Sequence, residues 1–84
     1  MTMKERRIVP RRPVLMMGVI IFSEIAPRIQ CKVTDISEIG AGLEISKTVD
    51  IPQEFHLVVE GIRRRCRLVW RSGTRIGVAF REQE

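Results

Sequence analysis

Residues 63–80 read RRRCRLVWRSGTRIGVAF, and the alternation in this stretch decides the fold. In its first half Cys66, Leu68 and Trp70 recur at every second position, with Arg65, Arg67 and Arg71 in the opposite phase. In its second half Thr74, Ile76, Val78 and Phe80 do the same. Successive side chains of a strand point to opposite faces, so period two predicts strands with one buried face. The Ser-Gly-Thr between the halves is turn chemistry, because glycine accepts positive φ without steric cost. The stretch is a predicted hairpin whose inner face includes Trp70.

The same period runs back through the chain. IQCKVTDI sets Ile29, Cys31 and Val33 against Gln30, Lys32 and Thr34, and FHLVVE sets Phe55, Leu57 and Val59 together. Strands are expected near 14–22, 29–36, 41–46, 54–60, 63–71 and 74–81. The first is apolar in both phases, which leaves its register open. EGIR (60–63) is a tight turn, and SKTVDIPQE (46–54) a longer polar loop broken by Pro52. No segment carries the helical period. Six short strands with no helix to cover a sheet face favour a closed antiparallel barrel, since closure removes exposed edges. The expected layout is one domain over 1–84: an arginine-rich, flexible arm over 1–12, a barrel over 13–81, and no C-terminal helix.

Composition narrows the classes. At 84 residues, with 44% hydrophobic and 30% charged residues, the chain is a small globular domain rather than a disordered one. Its two cysteines, Cys31 and Cys66, form no CxxC and no ligand cluster, and are expected to be reduced core residues. A cytoplasmic home follows. The basic start and apolar run have the outline of a secretion signal. Glu5 breaks the basic region, however, Pro10 and Pro13 precede the run, and no small-residue cleavage site follows. The run over 13–22 is too short to cross a bilayer.

The formal net charge of +5 is unevenly spread. Residues 1–12 carry +4 and residues 61–71 carry +5, while the remainder carries −4. Two cationic blocks point to a localised anionic partner if the fold joins them.

Enzyme chemistry finds little support. His56 is the only histidine and sits at an alternate strand position, where it is expected to be exposed. Neither cysteine has an acid or base partner in sequence, and no phosphate-cradling glycine loop or metal-ligand spacing occurs. Two stretches remain. RRIVPRR (6–12) holds Arg7 and Arg11 four apart, and its prolines disfavour a helix. TDISEIGAG (34–42) places Asp35, Ser37 and Gly40 where two strands meet. The plain readings are a solvated tail and an ordinary turn, with Gly40 permitting positive φ. Together, though, the stretches complement a guanine nucleotide. Arginine pairs with guanine O6 and N7 or forks onto phosphate, and a carboxylate accepts from the N1–H and N2–H edge.

At this point the chain resembles the PilZ family of bacterial receptors for cyclic di-GMP, whose signature is RxxxR followed by (D/N)xSxxG. RIVPR (7–11) and DISEIG (35–40) are both complete, and RLVWRSGTRIGVAF (67–80) is similar to the family's last hairpin. The resemblance implies a six-stranded barrel that binds cyclic di-GMP. Arg7 and Arg11 would hold phosphates and stack on or pair with guanine. Asp35 and Ser37 would bind the other face of the guanine, and Gly40 would allow the turn. Arg6, just before the motif, is similar to members that bind an intercalated ligand pair. The sequence stops at FREQE (80–84), which suggests a stand-alone member that signals through a partner protein when its arm orders. No cofactor, metal or membrane insertion is implied.

Two alternatives stand beside this one. The first is an adaptor of the same fold without ligand. The second is a small basic nucleic-acid-binding barrel, which the inward phase of Phe55, Trp70 and Phe80 disfavours, because single-strand binding wants exposed aromatic platforms. The arginines of GIRRRCRLVWR (61–71) are expected on the outer face, as a solubilising surface or a protein-docking one.

Overall fold

The computed structural model describes residues 12–46 and 49–81. Six strands follow in order: β1 (Arg12–Ile21), β2 (Ile29–Ile36), β3 (Gly40–Ile45), β4 (Glu54–Val59), β5 (Ile62–Ser72) and β6 (Arg75–Phe80). They close into an antiparallel barrel in the order β1-β2-β3-β6-β5-β4, with β4 pairing back onto β1. The described residues contain no helix. The expected fold class and strand positions are those observed; β1 begins at Arg12, two residues early. The arm over residues 1–11 lies outside the described residues.

Period-two alternation fills the interior as expected. Ile20, Cys31, Val33, Leu43, Ile45, Phe55, Leu57, Cys66, Ile76 and Val78 are buried in one core. The register that the sequence left open in β1 is now decided. Gly18 and Ile20 face inward, while Leu15 and Met17 face out. Both cysteines are free and buried, and burial pushes each thiol up to about 11. The connection from β3 to β4 carries Ile51 into the core, at the barrel end where β3 stops and β4 starts.

Tight turns join β4 to β5 and β5 to β6. Glu60 and Gly61 both take positive φ, 55° and 80°, and bridge the paired residues Val59 and Ile62. That is the type I′ geometry whose twist suits a hairpin, although glutamate is an uncommon occupant of it. Gly73 takes φ 62° at the other turn.

The decisive hairpin departs from simple alternation in one place. The register of β5 on β6 slips between Leu68 and Trp70, so that Leu68 opposes Val78 and Trp70 opposes Gly77. A β-bulge adds one residue, here Val69, and reverses the phase beyond it. Gln53 holds the bulged backbone: its carbonyl accepts from Leu68 N at 2.8 Å and its Nε2 donates to Leu68 O at 2.7 Å. Trp70 therefore faces outward and is 47% exposed, which corrects its expected place in the core. Arg71 is shifted the other way, to a position opposite Ile76, and is half-buried. Arg64 shares the phase of buried Cys66 rather than the outer one, and its guanidinium lies 4.4 Å from the centroid of the Phe80 ring.

Candidate functional site

The turn between β2 and β3 is built by Ser37. Its backbone N–H donates to Gly40 O at 2.8 Å, and its hydroxyl accepts from Ile39 N at 3.2 Å and Gly40 N at 3.3 Å. A short polar side chain that bonds backbone two and three residues on is the usual way to fix such a turn. The hydroxyl is thus occupied with the turn itself. Gly40 is required for a reason other than the expected one. Positive φ among the described glycines occurs only at Gly61 and Gly73. A Cβ at Gly40 would instead clash with the Val78 carbonyl oxygen, so glycine is needed for the close approach of β6.

Asp35 sits at an irregularity in β2, where the register onto β3 shifts between Val33 and Asp35. It is half-buried and its Oδ2 accepts from Thr34 Oγ1 at 3.2 Å. The carboxylate lies over Gly42, where a Cβ would come within 2.6 Å of Oδ2. On its other side Asp35 pairs with Pro13 of β1. Arg6, Arg7 and Arg11 lie outside the described residues. The backbone nevertheless brings the start of β1, to which the arm is joined, here, because Arg12 pairs with Ile36.

One row of paired residues runs around the outside of the barrel from this point: Pro13, Asp35, Gly42, Gly77, Trp70. Residues directly opposite in antiparallel strands share a face, with Cα atoms about 5 Å apart. Two adjacent buried glycines therefore form a side-chain-free floor on which the carboxylate and the indole themselves rest. Trp70 covers Gly77, where a Cβ would clash with its Nε1. One face of the ring packs on the backbone and the exposed remainder is a stacking platform. Gly42, Gly77 and Trp70 went unnoticed in the sequence as site residues. The signal available was the spacing of the two glycines from residues that can only be paired once the register is known. The exposed indole also removes the aromatic objection to nucleic acid for that one residue, while Phe55 stays buried and Phe80 half-buried.

The opposite wall is different. Arg63, Arg64, Arg65 and Arg67 are all exposed on β5. Glu54 takes Arg81 at 2.7 Å and Arg65 at 3.8 Å; among the described residues the other three make no ion pair. His56 is half-buried rather than exposed, with Arg63 Nη2 3.3 Å from its Nδ1. Partial burial, then the charges of Arg63 and Arg65, lower its pKa. No three metal-ligating side chains cluster among the described residues. No helix among them is long and apolar enough to cross a membrane.

Compared with known families, the chain matches the model described as the PilZ domain over residues 4–84. No curated protein matches it.

Proposed function

The chain belongs to the PilZ family, and we propose that it is a bacterial, cytoplasmic receptor for cyclic di-GMP that signals through a partner protein. The observation that carries this is the row of paired residues. It sets the root of the RxxxR arm, the Asp35 carboxylate, two glycines beneath it and beneath the indole, and the exposed Trp70 ring side by side.

Each part has a chemical task in that reading. Arg7 and Arg11 fork onto the phosphodiesters or a guanine edge, where charge-assisted bonds to guanidinium are strongest. Asp35 accepts from guanine N1–H and N2–H. Thr34 already donates to that carboxylate and orients it. Ser37 and Gly40 hold the turn that presents Asp35. The two glycines let the Asp35 carboxylate and the Trp70 ring lie close on the backbone, which holds both in place, and Trp70 offers its open face for stacking. Arg6 would add a contact if two intercalated ligands bind. Arm residues that gain these contacts lose freedom, and the resulting change of surface is the signal. The activity is binding, not catalysis.

Isothermal titration with cyclic di-GMP, with GTP and a short single-stranded DNA as comparators, tests the reading. Selective, saturable binding at micromolar concentration or below is expected, and its stoichiometry reports on Arg6. Silence from a folded sample would leave an adaptor that keeps the motif for its turn geometry. Binding of the DNA alone would mean a nucleic-acid protein.

A further inference from the structure

The barrel end opposite Ile51 has a second surface that the nucleotide reading does not use. Here β1 begins, β6 ends, and the turn over 36–40 meets the hairpin turn at Glu60 and Gly61. A cavity of about 100 Å³ opens among Met16, Ile36, Leu57, Val59, Ile62 and Phe80, with Glu60 and Arg64 also in its lining. That is the room of about three waters, enough for one aliphatic side chain. Arg64 and Phe80 wall this cavity and also wall a neighbouring groove of about 460 Å³. The groove is lined by Arg63, Arg65 and Arg81 with His56 and a single acid, Glu38. Exposed Ile39 and Ile62 lie at the same end, 57% and 59% exposed.

We propose that this cavity and groove form a docking site for an acidic peptide segment of a partner protein, anchored by one aliphatic side chain. The pairing of features decides the occupant. An apolar pocket sharing a wall with a cationic groove fits an anchor residue flanked by carboxylates, the common pattern of a buried anchor with a charged rim. Charge complementarity is direct, because Arg63 and Arg64 have no acid among the described residues while Arg65 and Arg81 share only Glu54. The closed barrel offers no strand edge, so recognition falls to side chains. A peptide suits a concave groove with Glu38 in its wall better than a flat lipid surface or a polyphosphate chain does. Glu38 also belongs to the Ser37–Gly40 turn that supports Asp35, so the two surfaces meet at one piece of backbone.

A random twelve-residue peptide library displayed on phage, selected against the purified protein, tests this without naming the partner. Selected sequences are expected to be rich in Asp and Glu around one Leu, Ile, Val or Met. A synthetic peptide of the selected sequence should shift the amide resonances of Ile36, Glu38, Arg63 to Arg65 and Phe80. It should bind the double variant Arg63→Glu, Arg65→Glu at least tenfold more weakly. Both residues are exposed, so the variant should keep its melting temperature and its response to cyclic di-GMP, which separates this site from the nucleotide one. No enrichment, enrichment without acidic bias, or undiminished binding to the double variant would overturn the proposal. Shifts of the same amides by phosphatidylglycerol vesicles or single-stranded DNA, with none from the peptide, would overturn it in favour of those partners.

Discussion

Two walls of this barrel, built from strands of the same kind, use their outer faces in opposite ways. Across β2, β3 and β6 the outer face has lost its side chains at Gly42 and Gly77, and the neighbours Asp35 and Trp70 lie over the gaps. Across β4 and β5 the outer face carries long cationic chains, of which Glu54 pairs with Arg65 alone, its other partner being Arg81 beyond β6. The first wall has few positions, each fixed by its neighbours. The second has many charges on long exposed side chains, most of them without an acid partner among the described residues. A wall of the first kind suits a rigid planar ligand, and a wall of the second kind suits a partner selected by charge, because rigid positioning limits what can bind while charges on long side chains tolerate variety.

Substitutions should separate the walls by the size of their effects. The largest belongs to Gly40→Ala, which forces a Cβ against the Val78 carbonyl; urea unfolding should show a loss of about 3 kcal/mol, the upper part of the overpacking range. Trp70→Ala should leave the core intact and cost about 2 kcal/mol of cyclic di-GMP affinity, as lost base stacking does. Asp35→Ala and Arg11→Ala should each cost at least about 1.5 kcal/mol in isothermal titration, with the fold retained. Undiminished binding in either would sink its assigned role. Arg67→Ser, exposed on the cationic wall, should move stability by no more than about 0.5 kcal/mol and leave nucleotide binding unchanged. A loss comparable to that of Gly40→Ala would erase the contrast between the walls.

The core provides an independent check on the fold. The thiols of Cys31 and Cys66 are raised by burial from 9.0 to about 11. A raised folded-state value means that the folded protein holds its protons longer than the unfolded one. The stabilisation is then complete below pH 9 and is lost as pH rises toward 11. Thermal melts should show the midpoint falling across that window, with a smaller fall in a Cys31→Ala, Cys66→Ala variant.

Much of the fold was legible because a barrel repeats one simple rule. Alternation in IQCKVTDI and FHLVVE marked which residues are buried, and the turn residues marked where the strands end. Trp70 was misplaced because a bulge adds a residue without any mark in the local pattern. The partner that bonds the bulged backbone, Gln53, lies fifteen residues from Leu68 and meets it only in three dimensions. Gly40 was read as a turn glycine, whereas its constraint comes from Val78 on a strand far along the chain. The glycine floor was hidden for the same reason: Gly42 and Gly77 become neighbours only through the β3–β6 pairing. Asp35 and Ser37 were legible as a motif, and Asp35 gains its meaning from what lies beside it.

The most direct test uses the one tryptophan in the chain, which stands at the far end of that floor. Cyclic di-GMP titrated into the wild-type protein should change Trp70 fluorescence saturably at micromolar concentration or below, and the response should weaken at least tenfold in Asp35→Ala. An unchanged Trp70 signal while calorimetry reports binding would contradict the account, because the ligand would then lie away from the row that joins Asp35 to Trp70.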